Sequence, residues 1–356
     1  MQGSHRDTRH SELRVAIIGA GFISDYHISG LRAAGGATIT HLIGRRPDRT
    51  AERAAALKIE RHGTDYEDVL KEESVDAVVI ATPDFTHKAI ATEALKAGKA
   101  VLLQKPMAMT SAECREIIAA SEASGASLTT SFMHRYFPEV RWLRARIAER
   151  AFGPIHFVRI RNATPGADWA DWFFRPEQVA GGVVMQLGVH GIDLVQHLFG
   201  PIASLSATTR TVKSRRRLAD GREVISALED NAHAAYEMAA GFTASHEMSA
   251  TEVAGCDRFR LEVYFEEATV WLRSGPAAAL VNRGKVSGKD AWKPVDFAGE
   301  PLGQAHHAHW LNVVRGTEPT DDTAAAGLST LIVAEGIYRS AHEETRLKIA
   351  TESVNG

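Results

Sequence analysis

From Leu13 the chain reads L-R-V-A-I-I-G-A-G, a continuous apolar and partly β-branched run that ends in glycines. Such an unbroken run suits a parallel strand buried on both faces. The segment behind it carries Ile28 and Leu31 at helical spacing and predicts an amphipathic helix. The alternation then repeats. Strands are predicted at 37–43, 76–80, 99–103 and 127–131. Helices are predicted from Asp48, read as an N-cap, through Leu57, then over 86–97 closed by Gly98, and over 111–124. Strands alternating with helices describe a doubly wound parallel sheet.

The pattern changes near residue 150. Residues 155–163 alternate well enough for an antiparallel strand with one wet face. A loop rich in aromatics (Trp169, Trp172, Phe173, Phe174) precedes Gly181 and Gly182, which open an apolar helix running through Leu198. Strand-like runs at 202–213, 232–238, 242–249, 259–265 and 268–272 predict an open, largely antiparallel sheet of five or six strands. Helical stretches at 302–315 and 324–343 are expected to pack back across the domain boundary. The basic run from Lys213 to Arg217 reads as a solvated loop between strands.

Composition narrows the class. With 356 residues, 44% hydrophobic and 24% charged, the chain is an ordinary globular protein of about two domains. A net charge of −3 gives no basic surplus for nucleic acid or a membrane surface. No apolar run reaches membrane-span length, and residues 1–12 are polar, so they read as a disordered lead and not as a signal peptide. Cys114 and Cys256 are the only cysteines, too few for a disulfide framework or a zinc cluster. The expectation is a soluble protein of a reducing cytoplasm, with no nucleic-acid or membrane partner.

Several short motifs stand in one order: G-A-G-F-I-S-D-Y-H (19–27), A-T-P-D-F-T-H (81–87), A-G-K-A-V-L-L-Q-K-P (97–106), G-G-V-V-M-Q-L-G-V-H-G-I-D-L (181–194) and the weaker E-D-N-A-H (229–233). In that order and spacing the chain, from about residue 13 to 350, resembles the glucose–fructose oxidoreductase / inositol dehydrogenase / rhizopine-catabolism family. The resemblance implies an α/β fold: an N-terminal Rossmann doubly wound parallel sheet (13–134), then a C-terminal α/β domain (135–356) with a large open, mostly antiparallel sheet. It implies NAD(P)-dependent hydride transfer on a secondary alcohol or ketone of a sugar, cyclitol or sugar acid. It also implies a homodimer or homotetramer. Two other classes stay open: an enzyme that retains its nicotinamide and oxidises a sugar transiently to cleave a glycosidic bond, and a non-catalytic NAD(P)-binding regulator.

On the cofactor side, Gly19 permits a tight turn and Gly21 lets the backbone approach a pyrophosphate on the helix N-terminus. Ser24 replaces the third glycine of the fingerprint, small enough for helix–strand packing. Phe22, Ile23, Thr82, Pro83 and His87 are expected to complete the cofactor wall, with His87 equally readable as a helix-start residue. Where NAD-preferring sites place an acid at the end of the second strand, this chain has Gly44, followed by Arg45 and Arg46. Without an acid to repel a 2′-phosphate, and with arginines able to bind it, NADP is favoured and NAD is second.

Lys105 ends a parallel strand, where ligands of α/β sheets bind, and the resemblance gives it the reacting hydroxyl. Gln104 stands where the family usually has glutamate, which removes an anion that would help keep Lys105 charged. The resemblance makes His190 the general acid/base, a task histidine performs without heavy tuning. Gln186, four residues earlier, replaces a usual aspartate; it can hydrogen-bond a substrate hydroxyl but holds no charge. Asp193 lies on the same predicted face and either orients His190 or is structural. For substrate, His134, Tyr136, Trp172 and Arg175 are candidates, the aromatics being as readable as core or interface. His306, His307 and His309 lack a carboxylate or cysteine at ligand spacing and read as helix-start residues, so no metal is expected.

Overall fold

The computed structural model describes residues 12–253, 259–274, 277–286 and 289–350; the lead before Glu12 and Cys256 lie outside them. Two compact units result, one of residues up to 136 together with 300–328, the other of 137–299 and 329 onward.

The first unit alternates as its sequence predicts: β1 (Leu13–Ile18), α1 (Ile23–Ala34), β2 (Ala37–Ile43), α2 (Pro47–Ala56), β3 (Arg61–Gly63), α3 (Tyr66–Lys71), β4 (Ala77–Ile80), α4 (His87–Lys96), β5 (Ala100–Gln104), α5 (Ser111–Ser124) and β6 (Leu128–Ser131). The short strand β3 and helix α3 are additions not predicted from the sequence. The strands form a six-stranded sheet in the order β3-β2-β1-β4-β5-β6. All its pairs are parallel. The order reverses between β1 and β4, which makes the carboxyl edge there the topological switch point. Leu13, Val15, Ile17, Val79 and Leu102 are fully buried within this core. Each such side chain contributes about 1.5–3 kcal/mol relative to exposure. One boundary is corrected. Asp48 is not the cap of α2: the helix begins at Pro47, with Arg46 at the cap position offering no side-chain bond and Asp48 in the first turn. Proline's fixed φ suits the first helical position, where its missing N–H costs nothing.

The second unit comprises α6 (Pro138–Ala148), β7 (Ile155–Ala163), α7 (Val189–Phe199), β8 (Ile202–Arg210), β9 (Arg215–Arg217), β10 (Glu223–Ile225), β11 (Asn231–Met238), β12 (Thr243–Ser249), β13 (Arg260–Phe265), β14 (Thr269–Ser274), β15 (Ala277–Val286) and β16 (Lys289–Pro294). The chain then re-enters the first unit with α8 (Gln304–Arg315); α9 (Thr323–Glu343) leads to the short β17 (Leu347–Lys348) in the second. Nine strands, not five or six, form its sheet, in the order β16-β15-β14-β13-β7-β12-β11-β8-β17. The additional strands are the short β17 and the hairpin of β15 and β16, whose first strand reads A-A-A-L-V-N-R-G-K-V and lacks a period-two pattern. β7 pairs antiparallel with β13 but parallel with β12, so the sheet is mixed.

The basic run is also corrected. Arg215–Arg217 is a strand paired with Glu223–Ile225, and Arg216 is buried with its guanidinium 2.8 Å from Asp230. Backbone amides of Val212 and Lys213 complete the Asp230 carboxylate. Among the described residues no helix is long and apolar enough to cross a membrane.

Candidate functional site

The glycine turn is built by close backbone approach. Gly19 adopts φ +117, and a Cβ there would lie 2.3 Å from the carbonyl oxygen of Ala81. Only glycine fits this φ and this approach, while the strands stay paired around it: Gly19 N–H donates to Ile43 O at 2.8 Å and Ala81 N–H to Ile18 O at 2.7 Å. At Gly21, by contrast, a Cβ would meet nothing within 4 Å. Phe22 stands at the cap of α1 with no side-chain cap bond, while Ser24 is fully buried. A bare glycine before an uncapped helix of twelve residues fits a dinucleotide pyrophosphate. Gly19, Gly21, Phe22 and Ile23 would hold it. Sequence reasoning missed Arg53, whose Nη2 donates to Gly21 O (3.0 Å), Ser24 Oγ (3.2 Å) and Asp25 Oδ1 (2.6 Å). Nothing local signals a contact made 32 positions away.

Gly44 follows β2 and is closely framed: a Cβ would lie 2.5 Å from Thr50 Oγ1 and 2.7 Å from Ala20 Cβ. Thr50 cannot simply swing aside, because it is buried with its hydroxyl donating to Arg46 O at 2.7 Å. Any side chain at this position, an acidic one included, would therefore force Thr50 or Ala20 to shift. Arg45 and Arg46 are exposed beside it. After β4, His87 bridges two loops, its Nδ1 2.8 Å from Pro106 O and its Nε2 2.9 Å from Thr82 O. Thr86 Oγ1 donates to Pro83 O at 2.7 Å and lies within hydrogen-bond distance of Thr82 Oγ1, also at 2.7 Å, which tightens the same turn. Gln104 closes β5 in the buried layer, and Lys105 follows it half-buried at the sheet's carboxyl edge.

His134 and Tyr136 lie in a short 3₁₀ turn after β6. Tyr136 donates to Asp321 Oδ2 at 3.0 Å and its ring stacks on His306 at 4.7 Å. His309 sits 3.2 Å from Asp321 and 2.5 Å from Glu318. The Asp321 contact, ahead of Glu318, raises its pKa. Burial opposes ionisation of Asp321, but hydrogen bonds from His309, Thr323 and Tyr136 bring it down to about 2. His306 and His307 are buried at the start of α8, and His307 Nε2 is 3.0 Å from His27 Nδ1. Burial brings His307 down to about 4. No group of metal ligands forms among the described residues.

In the second unit, the helix expected from Gly181 begins as a π turn, Val184–Gly188, before α7 starts at Val189. A π turn is wider than an α turn, so the four-residue step from Gln186 to His190 is not a simple α-helical turn. The turn is fixed by Glu229, whose carboxylate accepts from Gly182 N (3.1 Å), Val184 N (3.0 Å) and Tyr338 Oη (2.8 Å). Burial raises the Glu229 pKa, against those hydrogen bonds. Glu229 belongs to the weakest of the sequence motifs, which carried no role for it.

α7 is seated by its own small residues. A Cβ at Gly191 would lie 2.3 Å from Asn162 Oδ1 and 2.6 Å from His246 Nε2, and one at Gly188 would lie 2.4 Å from Met248 Sδ. Beneath it runs a buried chain in which His246 Nε2 donates to Asn162 Oδ1 (2.8 Å) and Tyr236 Oη donates to His246 Nδ1 (2.9 Å). That is the pairing of a neutral imidazole. Burial pushes His246 down to about 3, in agreement. His190 and Asp193, both buried, ride on this rigid seat. Gln186 Nε2 donates to Phe173 O (2.8 Å) and Gly181 O (3.1 Å). Trp172 packs against Phe173 as a tilted ring pair with centroids 4.1 Å apart, and Arg175 pairs with Asp171 at 2.7 Å.

Two family models match in sequence order. Residues 13–132 match the oxidoreductase family with an NAD-binding Rossmann fold, and residues 140–271 match the C-terminal domain of the same family. The chain belongs to the glucose–fructose oxidoreductase / inositol dehydrogenase / rhizopine-catabolism oxidoreductases. As a member of this family it is an oxidoreductase with an NAD-binding Rossmann domain. Among its relatives, D-apiose dehydrogenase of Paraburkholderia graminis is 27% identical over 348 residues, covering 92% of this chain and 87% of that protein. Inositol 2-dehydrogenase 1 of Saccharopolyspora erythraea is 29% identical over 352 residues, covering 95% and 96%. In fold the family member matches levoglucosan dehydrogenase in complex with NADH and L-sorbose with a TM-score of 0.86 at 19% identity, over 96% of this chain and all of that one.

Proposed function

We propose that this protein is an NAD(P)-dependent dehydrogenase or reductase acting on a secondary alcohol, or the matching ketone, of a sugar, cyclitol or sugar acid. The observation that carries the reading is Lys105, placed directly after β5 at the carboxyl edge of a parallel sheet whose β1 ends in the Gly19–Gly21 turn. Ligands of such sheets bind at that edge. Nicotinamide, when bound, supplies the hydride acceptor or donor. Lys105 hydrogen-bonds the reacting oxygen, and His190 takes the hydroxyl proton in oxidation and returns it in reduction. Asp193, three residues on, orients His190.

NADP is the preferred cofactor. Support comes from Gly44, where Thr50 and Ala20 crowd any side chain and no acid stands, and from exposed Arg45 and Arg46 beside it. His134, Tyr136, Trp172 and Arg175 contribute to the substrate side, and the relatives' names, inositol and apiose dehydrogenase, agree with a polyol or sugar. The active form is a homodimer or homotetramer, which light scattering tests. The test of the function is calorimetric titration with NADP and with NAD, followed by a polyol screen. Tighter NADP binding with net reduction of nicotinamide supports the reading. NAD binding more tightly would sink the arginine argument. A nicotinamide that cannot be washed out, with no net reduction, would transfer the assignment to transient sugar oxidation.

A further inference from the structure

We infer that Gln186 is a specificity-determining positioning residue: its amide locks the aromatic loop 169–175 to the base of the helix that carries His190. This deepens the proposed polyol oxidoreductase activity and rests on it. One nitrogen, with two hydrogens, spans two backbone carbonyls, Phe173 O at 2.8 Å and Gly181 O at 3.1 Å. Carbonyls only accept, so the amide orientation is dictated by its partners.

The base of this clamp is closely packed and hydrogen-bonded. A Cβ at Gly181 would lie 2.2 Å from Tyr338 Oη, and one at Gly182 would lie 1.9 Å from Glu229 O. Tyr338 and the amides of Gly182 and Val184 are gathered by the Glu229 carboxylate. The loop's far side has its own contacts, one ion pair within the loop and two to the chain at 219–222. Asp171 pairs with Arg175 and lies 3.7 Å from Arg222, and Ala219 N donates to Asp168 O at 2.7 Å. Between these two anchors Phe173 carries Trp172 on one side (4.1 Å) and Trp169 edge-on (5.2 Å). Gln186 thereby sets where an aromatic platform stands relative to the turn that leads into His190. Such a platform suits the flat C–H face of a ring, so the substrate class it selects is a cyclic polyol or pyranose over an open-chain polyol.

Glutamine is the side chain this arrangement needs. Glutamate would set anionic oxygens against two carbonyl oxygens, leucine would leave both carbonyls without the donor, and asparagine is one methylene short. The test compares wild type, Gln186→Leu and Gln186→Glu by amide hydrogen exchange over 171–178 and by steady-state kinetics on a cyclic and an open-chain polyol. Both variants are expected to exchange at least about tenfold faster at Arg175 and Gln178, whose amides close the loop turns onto Trp172 O and Arg175 O. KM for the cyclic polyol is expected to rise about tenfold with kcat within about threefold, narrowing the cyclic-to-linear preference. Calorimetric cofactor affinity, unchanged, shows that each variant is folded. Unchanged exchange in Gln186→Leu overturns the clamp. Faster exchange with an unchanged cyclic-to-linear ratio overturns the specificity role. Absence of any polyol oxidation by wild type sinks the functional reading alone, and the exchange comparison still decides whether Gln186 holds the loop.

Discussion

Placing an aspartate at Gly44, the position where an acid would favour NAD, is expected to destabilise the protein. The Cβ would sit 2.7 Å from Ala20 Cβ and 2.5 Å from Thr50 Oγ1. Carbon atoms rest at about 3.5–4.0 Å, so the overlap with Ala20 is about 1 Å. Relief requires the turn after β1 or the start of α2 to move, and Thr50 is held by its bond to Arg46 O. Overpacking of this kind costs about 1–3 kcal/mol. Gly44→Ala isolates the steric part and should cost nearly as much as Gly44→Asp. The assay is urea denaturation of both variants, read as a fall in midpoint without a change in slope. On binding, Gly44→Asp should weaken NADP more than NAD, because a new anion faces a phosphate while Gly44→Ala adds none. The reasoning is refuted if both variants keep stability within about 0.5 kcal/mol of wild type, the range of an ordinary surface change.

Acid should destabilise the fold before most carboxylates titrate. His307 and His246 are held neutral, near 4 and 3, by burial. Their unfolded counterparts protonate near 6.5, so the unfolded chain binds more protons as pH falls. Stability is therefore complete above about pH 6.5 and declines from there toward pH 4, by up to a few kcal/mol for each histidine. Equal urea midpoints at pH 7 and pH 5 would contradict this. Gly191→Ala drives a methyl into Asn162 and His246; it should cost about 1–3 kcal/mol and lower kcat by displacing His190, whereas an Ala at exposed Gly221, with its positive φ of 87 but no neighbour within 4 Å, should leave kcat unchanged. Equal kcat for the two variants would count against the seat beneath α7.

The parallel sheet is legible in the sequence because burial on both faces leaves an unbroken apolar run, as in Val15 to Ile18, and because Gly19 and Gly98 mark turns at fixed offsets. The mixed sheet is less so. Alternation in Ile155–Ala163 reports one wet face but not that one neighbour is parallel, and Ala277–Val286 carries too little alternation to register as a strand. The π turn is invisible in G-G-V-V-M-Q-L-G-V-H, since its residues suit an α-helix equally. Arg216 reads as one more basic residue of a surface run, and only the fold brings Asp230 to it. In sequence Gly44 shows only the charge it lacks, while its steric frame of Ala20 and Thr50 exists only in the folded chain. Arg53 gives no signal in the sequence, for its partners lie in α1 and its glycine turn.

The most direct measurement is reduction of NADP on incubation with a panel of cyclic polyols and sugars, comparing wild type with Lys105→Met and tracking the nicotinamide absorbance. Methionine keeps the length of the side chain and removes its donors. Wild type should form NADPH with at least one polyol, and Lys105→Met should bind NADP equally well but lose at least about 10²-fold in kcat, the range of a positioned proton-handling group. Equal kcat in the two proteins, at equal cofactor affinity, would contradict the assignment of Lys105 to the reaction centre.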